Sequence, residues 1–164
     1  MQAEISVIPP RGPPPGPSRG LGHLAPAPED GRSGTQSRMD DRILIVEDDL
    51  LVASQMEMAL SDAGFDIAGV ATTPEEALHL AGTRSPTLVV MDIRLAGGGD
   101  GIDTALELFR LHGIRCIFAS AYSDDEARRR AAPAAPLGWL QKPYTMDSLT
   151  AMVRAAASKL RSRD

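Results

Sequence analysis

Five short apolar runs recur along the chain: Arg42 to Val46, Asp66 to Ala71, Leu88 to Asp92, Ile114 to Ser120 and Leu137 to Gln141. Runs of this length, bounded by turn residues, predict strands, and the β-branched content of the first, third and fourth suits burial on both faces. Asp66 to Ala71 is the more polar of the five. Helical patterns fill the gaps. Leu50 to Ala63 carries Leu51, Met58 and Leu60 among its apolar positions and stops at Gly64. Thr73-Pro74-Glu75-Glu76 reads as a helix start, with Thr73 as cap, Pro74 at the first helical position and two acids at the positive end of the dipole. That helix is expected to reach Ala81 and stop at Gly82. Ile102 to Leu111 has apolar residues at 102, 105, 106 and 109, closed by His112-Gly113. Ser123 with Glu126 three residues on forms a capping box before a short basic helix that Pro133 and Pro136 break. Met146 to Leu160 makes a last amphipathic helix.

Strict alternation of strand and helix over five units predicts an α/β fold, a parallel sheet covered by helices on both faces. With five strands the favoured order is the flavodoxin-like 2-1-3-4-5, which sets strands one and three side by side. Ligands in such sheets bind at the carboxyl edge, at the point where the order reverses.

Composition divides the chain. Residues 1–38 hold eight of the 13 prolines and six of the 15 glycines. Such a segment lacks the apolar residues that offset ordering entropy, and it is expected to be disordered. Its prolines and the want of a sustained apolar run exclude a secretory signal or an amphipathic transit helix. Met39 opens the ordered part and is a candidate start, so residues 39–164 form the expected domain. They carry 13 basic against 19 acidic residues, net −6. That balance argues against non-specific nucleic-acid binding, and no run is long enough to span a bilayer. A cytoplasmic, soluble protein is the expectation. Cys116, the one cysteine, excludes an internal disulfide and fits a small buried hydrophobe.

The chemistry-bearing residues stand at strand ends. Glu47 and Asp48 follow strand one, Asp92 closes strand three, Ser120 ends strand four and Lys142 follows strand five. In the expected order the acids at 47, 48 and 92 share one cleft, where like charges need a cation or a proton. Oxygen ligands with water positions left open suit Mg²⁺. No His or Cys lies there, which disfavours zinc. Taken singly, Asp48 or Asp49 is explained as a helix cap, Ser120 as a turn residue and Lys142 as a surface lysine. Taken together, the set suits phosphoryl transfer to a carboxylate: Asp92 as nucleophile, Lys142 and Ser120 on phosphoryl oxygens, and a metal neutralising charge.

The stretches ILIVEDD (43–49), LVVMDIRL (88–95), GGGDGID (97–103), CIFASAY (116–122) and GWLQKPY (138–144) resemble the receiver domain of two-component response regulators, over Asp41 to about Leu160. The resemblance implies a five-stranded parallel sheet with Asp92 as phosphoacceptor. It implies that Asp48 and Asp92 ligate Mg²⁺, that Glu47 acts on the ion through water, and that the carbonyl of Arg94 is a backbone ligand. It makes Ser120 the switch hydroxyl and Lys142 the conserved-type lysine, with a cis Lys142-Pro143 bond. It also implies phosphate from a histidine kinase or phosphotransfer protein. A downstream protein partner would read the face formed by residues 122–131 and Trp139, which Arg128-Arg129-Arg130 makes locally basic. Trp139 departs from the family's usual Tyr or Phe, which bears on its coupling to Ser120. Tyr122 and Arg94 flank the expected phosphate and are expected to slow its hydrolysis. The chain stops at Asp164, as in stand-alone receivers that signal through partners. Two other readings stand beside this one. A phosphate-independent binding module is opposed by the complete acid, Ser and Lys set. A Mg²⁺-dependent phosphohydrolase usually has a second acid two residues after its nucleophile, where this chain has Arg94.

Overall fold

Three of the hydrophobic runs, Arg42–Val46, Leu88–Met91 and Arg115–Ser120, pair as strands because they present apolar side chains to both of their faces, so neither face can stay in water, while Asp66–Ala71 and Gly138–Gln141 are only partly buried. The structure, a computed structural model, describes residues 41–121 and 123–162. In chain order the elements are β1 (Arg42–Val46), α1 (Leu50–Asp62), β2 (Asp66–Ala71), α2 (Pro74–Arg84), β3 (Leu88–Met91), the two-residue strands β4 (Arg94–Leu95) and β5 (Gly99–Asp100), α3 (Gly101–His112), β6 (Arg115–Ser120), α4 (Asp125–Ala131), β7 (Gly138–Gln141) and α5 (Met146–Arg161). The main sheet runs β2-β1-β3-β6-β7, all parallel. Counting only its own strands, that is the expected 2-1-3-4-5. β4 and β5 form a separate antiparallel ladder inside what the sequence shows only as a glycine-rich loop.

Strand periodicity sorts the core into two layers. Ile43, Ile45, Leu88, Val90 and Ile117 face α1 and α5, meeting Met56, Leu60, Leu149 and Val153. Leu44, Val46, Val89, Met91, Cys116 and Phe118 face the other way, toward Ile102, Ala105 and Leu108 of α3 and the alanines of α2 and α4. Each large side chain so buried contributes about 1.5–3 kcal/mol. Cys116 is the expected buried hydrophobe, and burial pushes its thiol up to about 12. Among the described residues no helix is long and apolar enough to cross a membrane.

The caps at Asp49 and Thr73 form as expected: Asp49 Oδ1 accepts from the backbone N–H of Leu51 and Val52, and Thr73 Oγ1 from that of Glu76. Three local expectations are corrected. In α1 the inward stripe is Ala53, Met56 and Leu60, while Leu51 and Met58 are 70% and 65% exposed. Residues seven apart share a face, and here that face looks away from the sheet. α2 passes through Gly82 to Arg84 and ends on Ser85 in the left-handed region, φ 49°; interior glycine costs a helix only about 1 kcal/mol, which packing of Ala77 and Ala81 outweighs. α4 is capped by Asp124, whose Oδ1 accepts from Ala127 N–H at 2.8 Å, in place of the Ser123–Glu126 box. The tail 1–38, Met39 and Tyr122 lie outside the described residues.

Candidate functional site

The strand register sets the height of the candidate residues. Val46 pairs with Met91, and Met91 with Phe118, so the residues that follow β1 and β3 emerge side by side at the carboxyl edge. The backbone N–H of Asp92 donates to the Val46 carbonyl at 2.9 Å, and that of Glu47 to Ala71 at 3.0 Å. Glu47 and Asp92 are therefore held by sheet-like bonds one step past the strands. Both are buried, and Asp48 beside them is exposed. One carboxylate oxygen from each of the three lies within 4.8 Å of the others.

Lys142 closes this group from β7. Its Nζ donates to Glu47 Oε2 and to Asp92 Oδ2, each at 2.8 Å. Burial works against the ammonium, yet its bonds to Asp92 and Glu47 outweigh that and raise its pKa. Burial also raises Glu47, more than the Lys142 bond and the Asp49 N–H lower it. Asp92 Oδ1 accepts from the backbone N–H of Arg94 at 3.3 Å. Three carboxylates and one ammonium leave two negative charges in a small volume. That deficit and the all-oxygen donor set fit a divalent hard cation.

The structure thus unites Glu47, Asp48, Asp92 and Lys142. Arg94 opens β4 next to Asp92 with an exposed side chain. Ser120 is buried at the end of β6, and its carbonyl accepts the Lys142 N–H at 3.1 Å. The Lys142-Pro143 bond is cis, as expected. Trp139 lies half-buried opposite Phe118, ring centroids 4.5 Å apart at 27°.

Two contributions escape sequence reasoning. Gly101 donates its N–H to Ile93 O at 2.7 Å and crosses the main chain of Asp92 so closely that a Cβ would stand 1.9 Å from the Asp92 carbonyl oxygen. Only glycine permits that approach. Asp100 bridges two elements: Oδ1 caps α3 through Ile102 and Asp103, while Oδ2 accepts from Arg130 of α4 at 2.7 Å. Burial opposes its charge, but Arg130 and the cap N–H groups hold its pKa below the usual range. The Asp-Gly pair at 100–101 was visible as part of a motif, but its two partners are set by tertiary approach.

A family model described as the response regulator receiver domain matches residues 43–154. The transcriptional regulatory protein PdtaR of Mycobacterium tuberculosis is 32% identical over 120 residues, covering 73% of this chain and 58% of that protein. The phyllosphere-induced regulator PhyR of Methylorubrum extorquens is 31% identical over 119 residues, covering 72% of this chain and 44% of that protein. The chain spans about half the length of these curated relatives. Among solved structures, a signal receiver domain of a modulated diguanylate cyclase from Desulfovibrio desulfuricans G20 superposes with a TM-score of 0.68 at 33% identity, covering 75% of this chain and 98% of that one.

Proposed function

The chain belongs to the response regulator receiver domain family, and from that premise we propose that it is a signalling switch set by phosphorylation of Asp92. The observation that carries this reading is the pair of 2.8 Å bonds by which Lys142 holds Asp92 and Glu47 in a buried acidic cleft. An ammonium fixed at one carboxylate oxygen is placed for an arriving phosphoryl oxygen, and it costs little reorganisation at the moment of transfer. Asp92 attacks phosphorus, an O–P bond forms, and the P–N bond of a donor phosphohistidine breaks with its electron pair left on the imidazole. Asp48, Asp92, the Arg94 carbonyl and, through water, Glu47 would hold Mg²⁺. When bound, the ion neutralises charge on the phosphoryl oxygens. Ser120 donates to the transferred group. The donor is a histidine kinase or phosphotransfer protein, and a protein partner reads the face of residues 123–131 and Trp139. The reactions proposed are the chain's own phosphorylation and its reversal.

Incubation with a small acyl phosphate, read by intact mass, tests this. One hydroxylamine-labile phosphoryl adduct is expected in wild type with Mg²⁺, and none in Asp92→Asn. A folded wild-type protein that gains no adduct sinks the proposal and leaves a phosphate-independent binding module.

The metal assignment has its own test. An ion present at about 100 times its dissociation constant stabilises by about 2.7 kcal/mol, roughly a 10 °C rise in Tm for a domain of this size. Mg²⁺ is expected to give that rise in wild type and less than half of it in Asp48→Asn, whose exposed side chain leaves the metal-free fold intact. Equal shifts in the two proteins would place the ion elsewhere.

A further inference from the structure

The strands β4 and β5 form a hairpin that leaves the main sheet at Asp92 and closes at Gly101, whose N–H bonds Ile93 O at 2.7 Å. It pairs Arg94 with Asp100 and Leu95 with Gly99, and it reverses at Gly97 and Gly98, both with open space around them. A ladder this short does not hold its place alone, so the flanks decide where it lies. On one flank Asp100 Oδ2 accepts from Arg130 at 2.7 Å. On the other stands carbon: a Cβ on Gly99 would meet Pro74 Cδ and Cγ at 2.9 Å. Gly99 has φ −63° and ψ 137°, which any residue adopts. Glycine is needed there for the close approach and not for the backbone.

Pro74 is a firm wall. It opens α2, and that turn is closed on both sides: Thr73 Oγ1 accepts from Glu76 N–H, and Glu76 Oε2 accepts from the N–H and hydroxyl of Thr72 at 2.8 and 2.9 Å. Ala71 before them accepts from Glu47 N–H at 3.0 Å. The ring carbons are tied to the backbone nitrogen and cannot swing aside. The opposite strand of the hairpin carries a group that touches Asp92. The Arg94 N–H donates to Asp92 Oδ1 at 3.3 Å, while Lys142 Nζ holds Oδ2 at 2.8 Å. The Arg94 bond is already long, so a small displacement of β4 breaks it.

We propose that the seating of Gly99 on Pro74 orients the phosphate acceptor: the first turn of α2 sets the height of the hairpin, and the hairpin brings the Arg94 N–H onto Asp92 Oδ1. Gly99 and Pro74 are positioning residues for phosphorylation of Asp92, an inference that rests on the phosphorylation reading above. With Lys142 on one oxygen and Arg94 on the other, the carboxylate keeps one plane. Without the second bond it turns about its own axis. A misplacement of about 1 Å at a reacting group costs up to about 10²-fold in rate. The two flanks differ in kind. The side chains of Arg130 and Asp100 are 41% and 33% exposed, so salt screens that pair, whereas the contact of Gly99 with Pro74 is steric and independent of salt.

The full chain is compared as wild type, Gly99→Ala, Pro74→Ala and the double variant, with thermal melts following the fold. Alanine at 99 adds only the clashing methyl. Alanine at 74 removes the ring carbons it would strike, leaving Leu95 Cβ at 3.2 Å as its near neighbour. Adduct formation from a small acyl phosphate with Mg²⁺ is timed by intact mass. Gly99→Ala should slow it about tenfold and Pro74→Ala by no more than about threefold, and the double variant should return to the Pro74→Ala rate. A wild-type rate in Gly99→Ala overturns the inference. So does a double variant as slow as Gly99→Ala, because the methyl and the ring then do not meet. Exchange of the Arg94 and Gly101 amide hydrogens, without donor or metal, reads the hairpin directly. It should be about tenfold faster in Gly99→Ala and restored in the double variant; unchanged exchange in Gly99→Ala overturns the seating. If Gly99→Ala fails to fold, a double variant that folds and reacts supports the contact, and one that also fails overturns it. No adduct in wild type sinks the function proposed above instead, and the hold of the hairpin on Asp92 is then decided by amide exchange alone.

Discussion

Replacing Lys142 with methionine is expected to destabilise the domain by about 2–4 kcal/mol at neutral pH, because removing one member of a buried charge cluster leaves the others uncompensated. Glu47 and Asp92 side chains are 2% and 11% exposed, and Lys142 at 27% is their shared cation. The lower part of that range allows for the solvent that reaches Lys142. The deficit depends on pH in a definite direction. A carboxyl whose folded pKa is raised binds its proton more tightly when folded, so its contribution is present at low pH and lost as pH rises through the raised value. Burial already raises Glu47, and the Lys142 bond is the main influence lowering it. In the variant that influence is gone and Glu47 moves further up. Lys142 itself, with a raised pKa, contributes stability below its ordinary 10.5 and loses it only as pH rises through the higher folded value. The gap between variant and wild type should therefore shrink as pH falls from about 7 to about 5. Urea unfolding at the two pH values measures it. A gap that stays constant across the range would show that Lys142 does not neutralise these acids. Mg²⁺ should recover part of the lost stability, and the acyl-phosphate adduct should be strongly diminished.

Gly101→Ala is expected to cost about 3 kcal/mol or more, at or beyond the upper end of overpacking penalties, and to lower Tm by roughly 10 °C. The clash is with backbone: the added Cβ would meet the Asp92 carbonyl oxygen at 1.9 Å and the Ile93 Cα at 2.9 Å. Flexible side chains can swing aside, but here the strand-to-loop turn carrying Asp92 would have to move. Phosphorylation should fall by more than the stability loss explains, since the displaced chain includes Asp92, the proposed acceptor. Gly98→Ala is the matched control. Gly98 has φ 82° but open space around it, so its cost is conformational, about 1 kcal/mol, and its adduct should form normally. If Gly101→Ala melts like wild type and accepts phosphate at the wild-type rate, the close approach does not position Asp92.

The two substitutions mark different kinds of legibility. Lys142 stood out as a residue following the fifth apolar run, and the strand ends at Glu47, Asp92 and Ser120 stood out in the same way, because runs of apolar residues report burial directly. Gly101 did not stand out, although it belongs to a recognisable GGGDGID stretch. A glycine reads as freedom of the chain, while its use here is room for another backbone. The orientation of α1 was likewise hidden. Leu51, Met58 and Leu60 are equally apolar, and the sheet takes Leu60 while leaving the other two in water. The short helix α4 starts one residue later than its capping box implies, because Asp124 is also an eligible cap and its carboxylate reaches Ala127 N–H.

The sequence by itself determined the five alternating units, the parallel order, the buried cysteine, the caps at Asp49 and Thr73 and the residue types at the carboxyl edge. All of these follow from local periodicity and from backbone chemistry acting over a few residues. Only the tertiary structure decided which charges meet. Lys142 reaches across 95 residues to Glu47 and 50 to Asp92, and Arg130 reaches across 30 to Asp100. It also placed Arg128 over Trp139 and Gly101 against Asp92. Those contacts depend on the register between strands and the packing of helices on the sheet, and no spacing along one stretch of chain encodes them.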